Sequence, residues 1–339
     1  MSISIDQLRN GLDLEKDLVF PEKPSEPEMR ESTSIWMFDE EGRFGFPRMG
    51  IEAEAWSWDD RLFQANFAFA DGRILNGAGR GPVPSPIGPD GRPTILGAGA
   101  IRFECIEPFR RWKMSFDGPA IDSHVDNQIA NTVDEARRIP VKLEADMVME
   151  TPAWTQVTGE GDGSAEAEYM GLGFRFEHLY RCEGVFTVDG EARPFKGTGL
   201  RIKRQSIRRL EGFYGHCWQS ALFPDGRAFG FITYPPKEDG TQYNEGYIFQ
   251  DGKMYPAKVT HAPWLRRIIG SGDDVTCELE SELGRHRIEG VTTLSTFRIA
   301  NPDMPGLNLQ QSGVRYTWDG QTAYGMIERS SLQHLTTIG

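Results

Sequence analysis

Asp-Gly dipeptides punctuate this chain at positions 71, 90, 117, 162, 189, 225, 239, 251 and 319. Several lie between two runs of alternating apolar and polar residues, as in "FQANFAFADGRIL", "GVFTVDGEARPFKG", "SALFPDGRAFGFITY" and "GYIFQDGKMYPAKV". Asp-Gly is a favoured two-residue hairpin turn because both central positions need positive φ. Only residues 4–17, a stretch around 130–138 and residues 264–270 suggest helix. Many short strands joined by tight turns predict an all-β sandwich or barrel.

At 339 residues the chain is long enough for two ordinary domains or one large one. Its hydrophobic fraction of 38% supplies real cores, so bulk disorder is not expected. A net charge of −13 argues against non-specific nucleic-acid binding, which needs Lys and Arg on phosphates, and against docking on anionic membranes. No apolar run approaches the roughly 18 residues of a membrane helix, and "MSISIDQLRNGLDLEKDLVF" lacks the apolar core of a secretory signal. Cys105, Cys182, Cys217 and Cys277 form no CxxC pair and read as reduced, buried thiols of a cytoplasmic protein. The six histidines show no HxxxH or HExxH spacing, so no protein-ligated metal is expected. P-loop, GxGxxG and GxSxG signatures are absent, which moves nucleotide-dependent and serine-hydrolase chemistry out of the front rank; no cofactor is expected.

Residues 158–168, "TGEGDGSAEAE", carry glycines, acids and small residues without a hydrophobic pattern, and read as a linker. Each half contains an F-x-D-G-R hairpin, "FADGR" from 69 and "FPDGR" from 223, which fits two similar β-domains in tandem. The motifs "FECIEPFRRWKMSFDGPA" (103–120), "GVFTVDGEARPFKGTGLR" (184–201) and "VRYTWDGQTAYGMIER" (314–329) resemble those of tandem lipocalin-like proteins. That group includes the carotenoid 1,2-hydratases (hydroxyneurosporene synthases) and the lipocalin-like Diels-Alderases, and the likeness runs from about residue 35 to 330. It implies two tandem calycin-type antiparallel barrels, with a ligand inside one or at their junction. The expected division is an N-terminal, partly helical extension (1–34), a first barrel (35–165) and a second (166–339). Where the resemblance places a His-x-Trp motif, after "GTGLR", this chain reads "IKRQ" (202–205). Hydration of an alkene therefore cannot simply be carried over from the resemblance, and Lys203 would need a pKa lowered by burial to act as a base.

The nearest His-x-Trp is His216-Cys217-Trp218. If this segment is extended, Tyr214, His216, Trp218, Ser220 and Leu222 share one face. An imidazole transfers protons near neutral pH, and an indole face stabilises developing positive charge; the alternative is a core histidine among aromatics. "TQYNEGYIF" sets Tyr243, Glu245 and Tyr247 on one face, and a carboxylate beside phenols in a partly dry cavity would serve as general acid or base. The resemblance likewise implies a tyrosine and an acid hereabouts; a solvated edge strand is the alternative. "GIEAEAWSWDD" would align Glu52, Glu54, Trp56, Trp58 and Asp60 as a cavity mouth or a solvated outer face. "FRFEHLYRCEG" puts Arg175, Glu177, Leu179 and Arg181 on one side, with His178 on the apolar other as a core histidine. "RIKRQSIRRL", with Arg201 and Lys203, would be an anion pocket or a face paired with local acids.

These readings combine into a cofactor-independent enzyme acting on a hydrophobic small molecule, a terpenoid, polyketide or aromatic, by acid/base-assisted hydration, dehydration, isomerisation or cyclisation. His216 and Glu245 would share proton transfer, Tyr243 would donate a hydrogen bond, and Trp56, Trp58, Tyr214, Trp218, Arg201 and Lys203 would contact the substrate. A non-catalytic carrier of a hydrophobic metabolite is the second reading, and an assembly partner the third. The expected partner is a small molecule rather than nucleic acid or membrane, with a homodimer compatible with the sequence.

Overall fold

The computed structural model describes residues 3–155, 174–207, 213–299 and 306–339. The proposed linker 158–168 lies outside the described residues, as do Arg208 and Arg209 of the basic run.

Eight strands form the first ring: β1 (Met29–Asp39), β2 (Phe44–Glu54), β3 (Arg61–Phe69), β4 (Arg73–Asn76), β5 (Arg111–His124), β6 (Arg138–Met149), β7 (Arg175–Val188) and β8 (Glu191–Ile207). Each pairs antiparallel with the next, and β8 pairs back with β1, Leu200 opposite Trp36. The second ring runs through β9 (Gly215–Leu222), β10 (Ala228–Thr233), β11 (Asn244–Gln250), β12 (Lys253–His261), β13 (Cys277–Ser281), β14 (Gly284–Ile299), β15 (Leu307–Trp318) and β16 (Gln321–Leu332). It is a closed antiparallel barrel, β16 pairing with β9. Closure removes the edges that an open sheet would present to other chains.

The hairpin signal holds where both residues take positive φ: Asp189 and Gly190 at 56° and 77°, Asp251 and Gly252 at 53° and 76°, Asp319 and Gly320 at 48° and 78°. The arginines of the two F-x-D-G-R motifs tie such turns down. Arg73 reaches Asp189 at 2.6 Å and Asp122 at 2.9 Å; Arg227 reaches Asp319 at 2.9 Å and Asp225 at 2.8 Å.

Helix is scarcer than the sequence suggests. Residues 4–17 split into α1 (Ile5–Arg9), with a Ser4–Gln7 capping box, and a 3-10 turn, Leu14–Asp17. Of the second stretch only Ala130 is helical, as the last residue of α2 (Val125–Ala130), and 131–137 is turn and irregular chain; 264–270 is not helical either, Arg267–Ile268 pairing with Thr337–Ile338. Sheet membership changes between Ile207 and Gly215 rather than at 165, because β7 and β8 are needed to close the first ring onto β1.

Both interiors carry apolar cores. The first is packed by Ile35, Met37, Phe46, Phe67, Phe116 and Phe176, among others. The second is packed by Phe229, Phe231, Ile248, Leu279, Ile288 and Tyr316 with their neighbours, and Tyr316 Oη donates to Gln219 Oε1 at 2.8 Å. The N-terminal segment closes the first ring with a buried carboxylate. Asp17 accepts from Phe109 N at 2.5 Å and Trp112 Nε1 at 2.8 Å, and pairs with Arg201 at 2.8 Å. A third apolar cluster, with Trp36, Phe38, Leu200, Trp218, Leu222 and Met326, draws on both rings and lies between them. All four cysteines are buried free thiols, and no described helix is long and apolar enough to cross a membrane.

Candidate active site at the junction of the rings

Strand alternation builds this site. On β1, Ile35 and Met37 point into the first ring, so Ser32, Ser34 and Trp36 point out of it. On β7, Phe176, His178 and Tyr180 point in, which turns Arg175, Glu177 and Leu179 outward. On β9, Cys217 and Ala221 fill the second ring while His216 and Trp218 leave it. These outer faces meet around a small polar cavity of about 60 Å³, lined by Trp36, Arg48, Arg175, His216, Trp218 and Glu328, with Ser32, Ser34, Glu52, Ile202, Arg204, Phe213, Ile232 and Tyr234 completing the wall.

His216 is fixed from the neighbouring strand β16, with which it is in register: His216 lies opposite Ser330 and Trp218 opposite Glu328. Nδ1 of the imidazole is 2.6 Å from Ser330 Oγ, and Nε2 is 3.3 Å from Glu328 Oε1. Glu328 also accepts from Arg48 Nη1 at 3.2 Å and Gln311 Nε2 at 2.7 Å. Burial opposes the charged carboxylate, but the His216 hydrogen bond, the Arg48 guanidinium and the Gln311 amide outweigh it and hold its pKa down at about 2. Arg48 bridges to Glu52 at 3.2 Å as well, from a backbone with φ of 66° inside an irregular stretch of β2. Left-handed backbone at a non-glycine residue is uncommon and concentrates at functional sites.

Behind Trp218 stands a second carboxylate of opposite character. Glu177 accepts from Trp218 Nε1 at 3.3 Å and pairs with Arg175. Burial raises its pKa to about 7, against the pull of Arg175 and with a further push from Glu328. The folded chain thus binds a proton here that the unfolded chain, at an ordinary 4.5, has released. The stability Glu177 contributes is complete below about pH 4.5 and lost as pH rises through about 7. Glu177→Gln should flatten that decline, as read from urea midpoints across this range; an unchanged slope would remove Glu177 as its source.

The sequence-predicted residues divide. His216 and Trp218 line the cavity, and Tyr234 stands with them. Tyr214, half-buried, donates to the Pro235 carbonyl at 2.6 Å. Tyr243 is buried and packs on Tyr234 at 4.8 Å; burial, then the Glu245 carboxylate, pushes its phenol up. Glu245 shares the outer face with Trp218, since Trp218, Ile232 and Glu245 lie opposite one another across three strands. Two strand spacings put it roughly 10 Å away. It lines a different cavity, of about 670 Å³, with Trp154, Tyr247 and Lys258.

The remaining four are elsewhere. The chain leaves β2 through a 3-10 turn at Ala55–Ser57, which breaks the alternation expected for "GIEAEAWSWDD". Trp56 is left 63% exposed, and Trp58 is buried in the first core with Arg61 4.3 Å over its ring. Glu52 and Glu54 do face the junction, paired with Arg30. Arg201 and Lys203 point into the first ring: Arg201 stacks 3.8 Å from the Trp112 centroid beside Asp17, and Lys203 pairs with Glu31 at 2.5 Å. Burial lowers the Lys203 pKa, yet the amine is held by its carboxylate and faces no cavity residue named above. His178 is a core histidine, as read: its Nε2 lies 3.1 Å from the Leu8 carbonyl, and burial lowers its pKa to about 4. Glu328, Ser330, Arg48 and Glu177 carry the site without having been singled out for it. The available signal was the spacing of Glu328 and Ser330, two residues apart in the last hairpin.

A groove of about 650 Å³ adjoins the small cavity and shares Ser34, Arg48 and Glu52 with it. Leu62, Phe63, Ile121 and Leu309 supply apolar lining, and Gln64, Asn76 and Gln311 polar lining. That volume lies within the roughly 300–1,000 Å³ of small-molecule sites.

Among solved structures, a protein of Nitrosomonas europaea provisionally named AttH is similar over 98% of both chains, with 15% identity and a TM-score of 0.60. Kievitone hydratase from Nectria haematococca matches at 10% identity and a TM-score of 0.50, covering 98% of this chain and 96% of that one. CghA, solved with Sch210972, matches at 12% identity and a TM-score of 0.50 over 98% of both chains. The resemblance to the lipocalin-like group is borne out by these neighbours, and what they share with this chain is the fold. No curated protein matches. The family described as a domain of unknown function (DUF7064) matches residues 15–333.

Proposed function

We propose, for a chain that belongs to the DUF7064 family, a cofactor-independent enzyme that moves protons on a hydrophobic small molecule held at the junction of two lipocalin-like units. The body of the molecule lies in the 650 Å³ groove, and its reacting end meets the His216–Glu328 pair. Hydration, dehydration, isomerisation and cyclisation of terpenoid, polyketide or aromatic substrates all fall within this chemistry, in a cytoplasmic setting.

The observation that carries the reading is the buried imidazole between Ser330 and an ionised carboxylate, on the wall of a cavity also faced by two indoles. The ionised Glu328 can only accept, so Nε2 carries the proton that faces it, and in the neutral imidazole Nδ1 is left to accept from the Ser330 hydroxyl, whose oxygen also accepts from the His216 amide at 3.1 Å. Nδ1 is then the acceptor side and Nε2–H the donor side of a relay ending in a carboxylate. Trp36 and Trp218, edge to face at 4.8 Å, offer aromatic surface to an apolar skeleton and to developing positive charge.

Native mass spectrometry of protein purified from its own host, looking for a co-purified compound, would supply the substrate; incubation and product analysis then test turnover. Conversion that collapses in His216→Ala supports the enzyme. Binding without conversion favours the carrier, a reading helped by the three partners already engaging Glu328 and by the tightness of the inner cavity.

A further inference from the structure

Among the buried N–H donors on the inner cavity's wall, the indole Nε1 of Trp36 and the guanidinium Nε of Arg175 find no acceptor among the described residues. Both residues line the cavity; Trp36 is 0% exposed and Arg175 4%. They are held against one ring, since the Trp36 centroid is 4.8 Å and the Arg175 Cζ 5.2 Å from the Trp218 ring. The outer end of Arg175 is already committed, Nη2 donating to Glu177. Nε is the part of this guanidinium still in need of an acceptor.

Dry donors without acceptors are costly and uncommon in native proteins, and each calls for an occupant. An occupant that satisfies an indole N–H and a guanidinium N–H must offer an acceptor, not a further donor, and a carbonyl oxygen with its two lone pairs can receive both. Charge narrows the choice. Arg30, Arg48, Arg175 and Arg204 face Glu52, Glu54, Glu177 and Glu328, so above about pH 7, where Glu177 has released its proton, the formal charges at the junction cancel without a ligand. A full anion added to a balanced, buried set would carry an uncompensated charge out of water.

We propose that the ligand of this site is an uncharged, largely apolar molecule bearing a carbonyl oxygen, received by Trp36 Nε1–H and Arg175 Nε–H. The inference rests on the junction being the ligand site, and it adds the functional group by which the ligand is fixed. A carbonyl polarised by the two donors places its adjoining carbons toward the wall shared with His216, where a proton α to that carbonyl is the one most readily moved.

The test is calorimetric titration of the full chain with three probes of one skeleton: 1-tetralone, tetralin, and the carboxylate of 1,2,3,4-tetrahydronaphthalene. A charged-donor hydrogen bond is worth about tenfold or more in affinity, so 1-tetralone should bind at least about tenfold tighter than either relative. Trp36→Phe should erase that preference, the ketone then binding no tighter than tetralin measured on the same variant. Arg175→Lys, which keeps the charge but moves the donor, should do the same and guards against a Trp36 variant that fails to fold. His216→Ala should leave the preference intact, so loss of catalysis and loss of this inference read out separately. Equal binding of ketone and hydrocarbon, tighter binding of the carboxylate, or a preference surviving both donor variants would overturn it. Failure of all three probes to bind overturns both the carbonyl and the junction as a ligand site.

Discussion

Asp17→Ala should destabilise the protein by about 3–5 kcal/mol, the cost of removing one member of a buried ion pair. Its carboxylate, from the N-terminal segment, is the shared acceptor of Arg201, Trp112 Nε1 and the Phe109 amide, and both Asp17 and Arg201 are fully buried. Without it, a guanidinium and two N–H groups stay dry and unmet, while Arg201 remains stacked on Trp112. Net stabilities lie in the range of roughly 5–15 kcal/mol, so the loss would be a large share of the whole. Urea denaturation would read it as a fall in midpoint at unchanged slope. The double variant Asp17→Ala/Arg201→Leu should recover much of it, because the stranded charge is then gone. A single variant within about 1 kcal/mol of the parent would mean that water reaches this end of the ring.

Glu328→Gln should lower turnover of the substrate by about 10²-fold or more, the usual weight of a positioned acid/base group. The amide keeps the shape but removes the charge toward which Nε2–H of His216 and Nη1 of Arg48 point. Because Glu328 sits at about 2, the parent carboxylate is ionised throughout the neutral range, and the variant's effect on rate should be nearly independent of pH there. Its effect on stability should not be. A lowered pKa contributes stability that is complete above the ordinary 4.5 and lost as pH falls toward about 2. The parent should therefore lose more stability than Glu328→Gln over that acidic interval. A variant with full activity would leave Glu328 as a structural ion-pair partner and move the proton chemistry elsewhere.

The period-two reading of single strands was sound wherever the strand stayed regular. It separated Arg175 and Glu177 from Phe176 and His178, and it put His216 and Trp218 on one face; the structure keeps both divisions. It failed at Trp56 and Trp58 because a 3-10 turn at Ala55–Ser57 ends the alternation, a local event that "AWSW" does not announce. Which side of a strand faces a cavity is a separate matter. Arg201 and Lys203 alternate correctly with Leu200 and Ile202, but their side is an interior already closed by Asp17 and Glu31, residues more than 170 positions away. Glu328 was hidden for the same reason. Its meeting with His216 depends on the last strand pairing with the first of its ring, a register set by closure rather than by neighbouring residues. Glu245 looked equivalent because its neighbouring tyrosines suggested the same face, and it is on that face, but two strands from Trp218.

The apolar cluster between the rings bears on how the protein comes apart. Trp36, Phe38 and Leu200 belong to one ring and Trp218, Leu222 and Met326 to the other, and each set is buried by its opposite number. Neither ring has a finished exterior on that side. Heat or denaturant that loosens one strips the cover from the other, so the two should melt together in a single cooperative event, and a partly opened molecule would present adhesive indole and leucine surface to its neighbours.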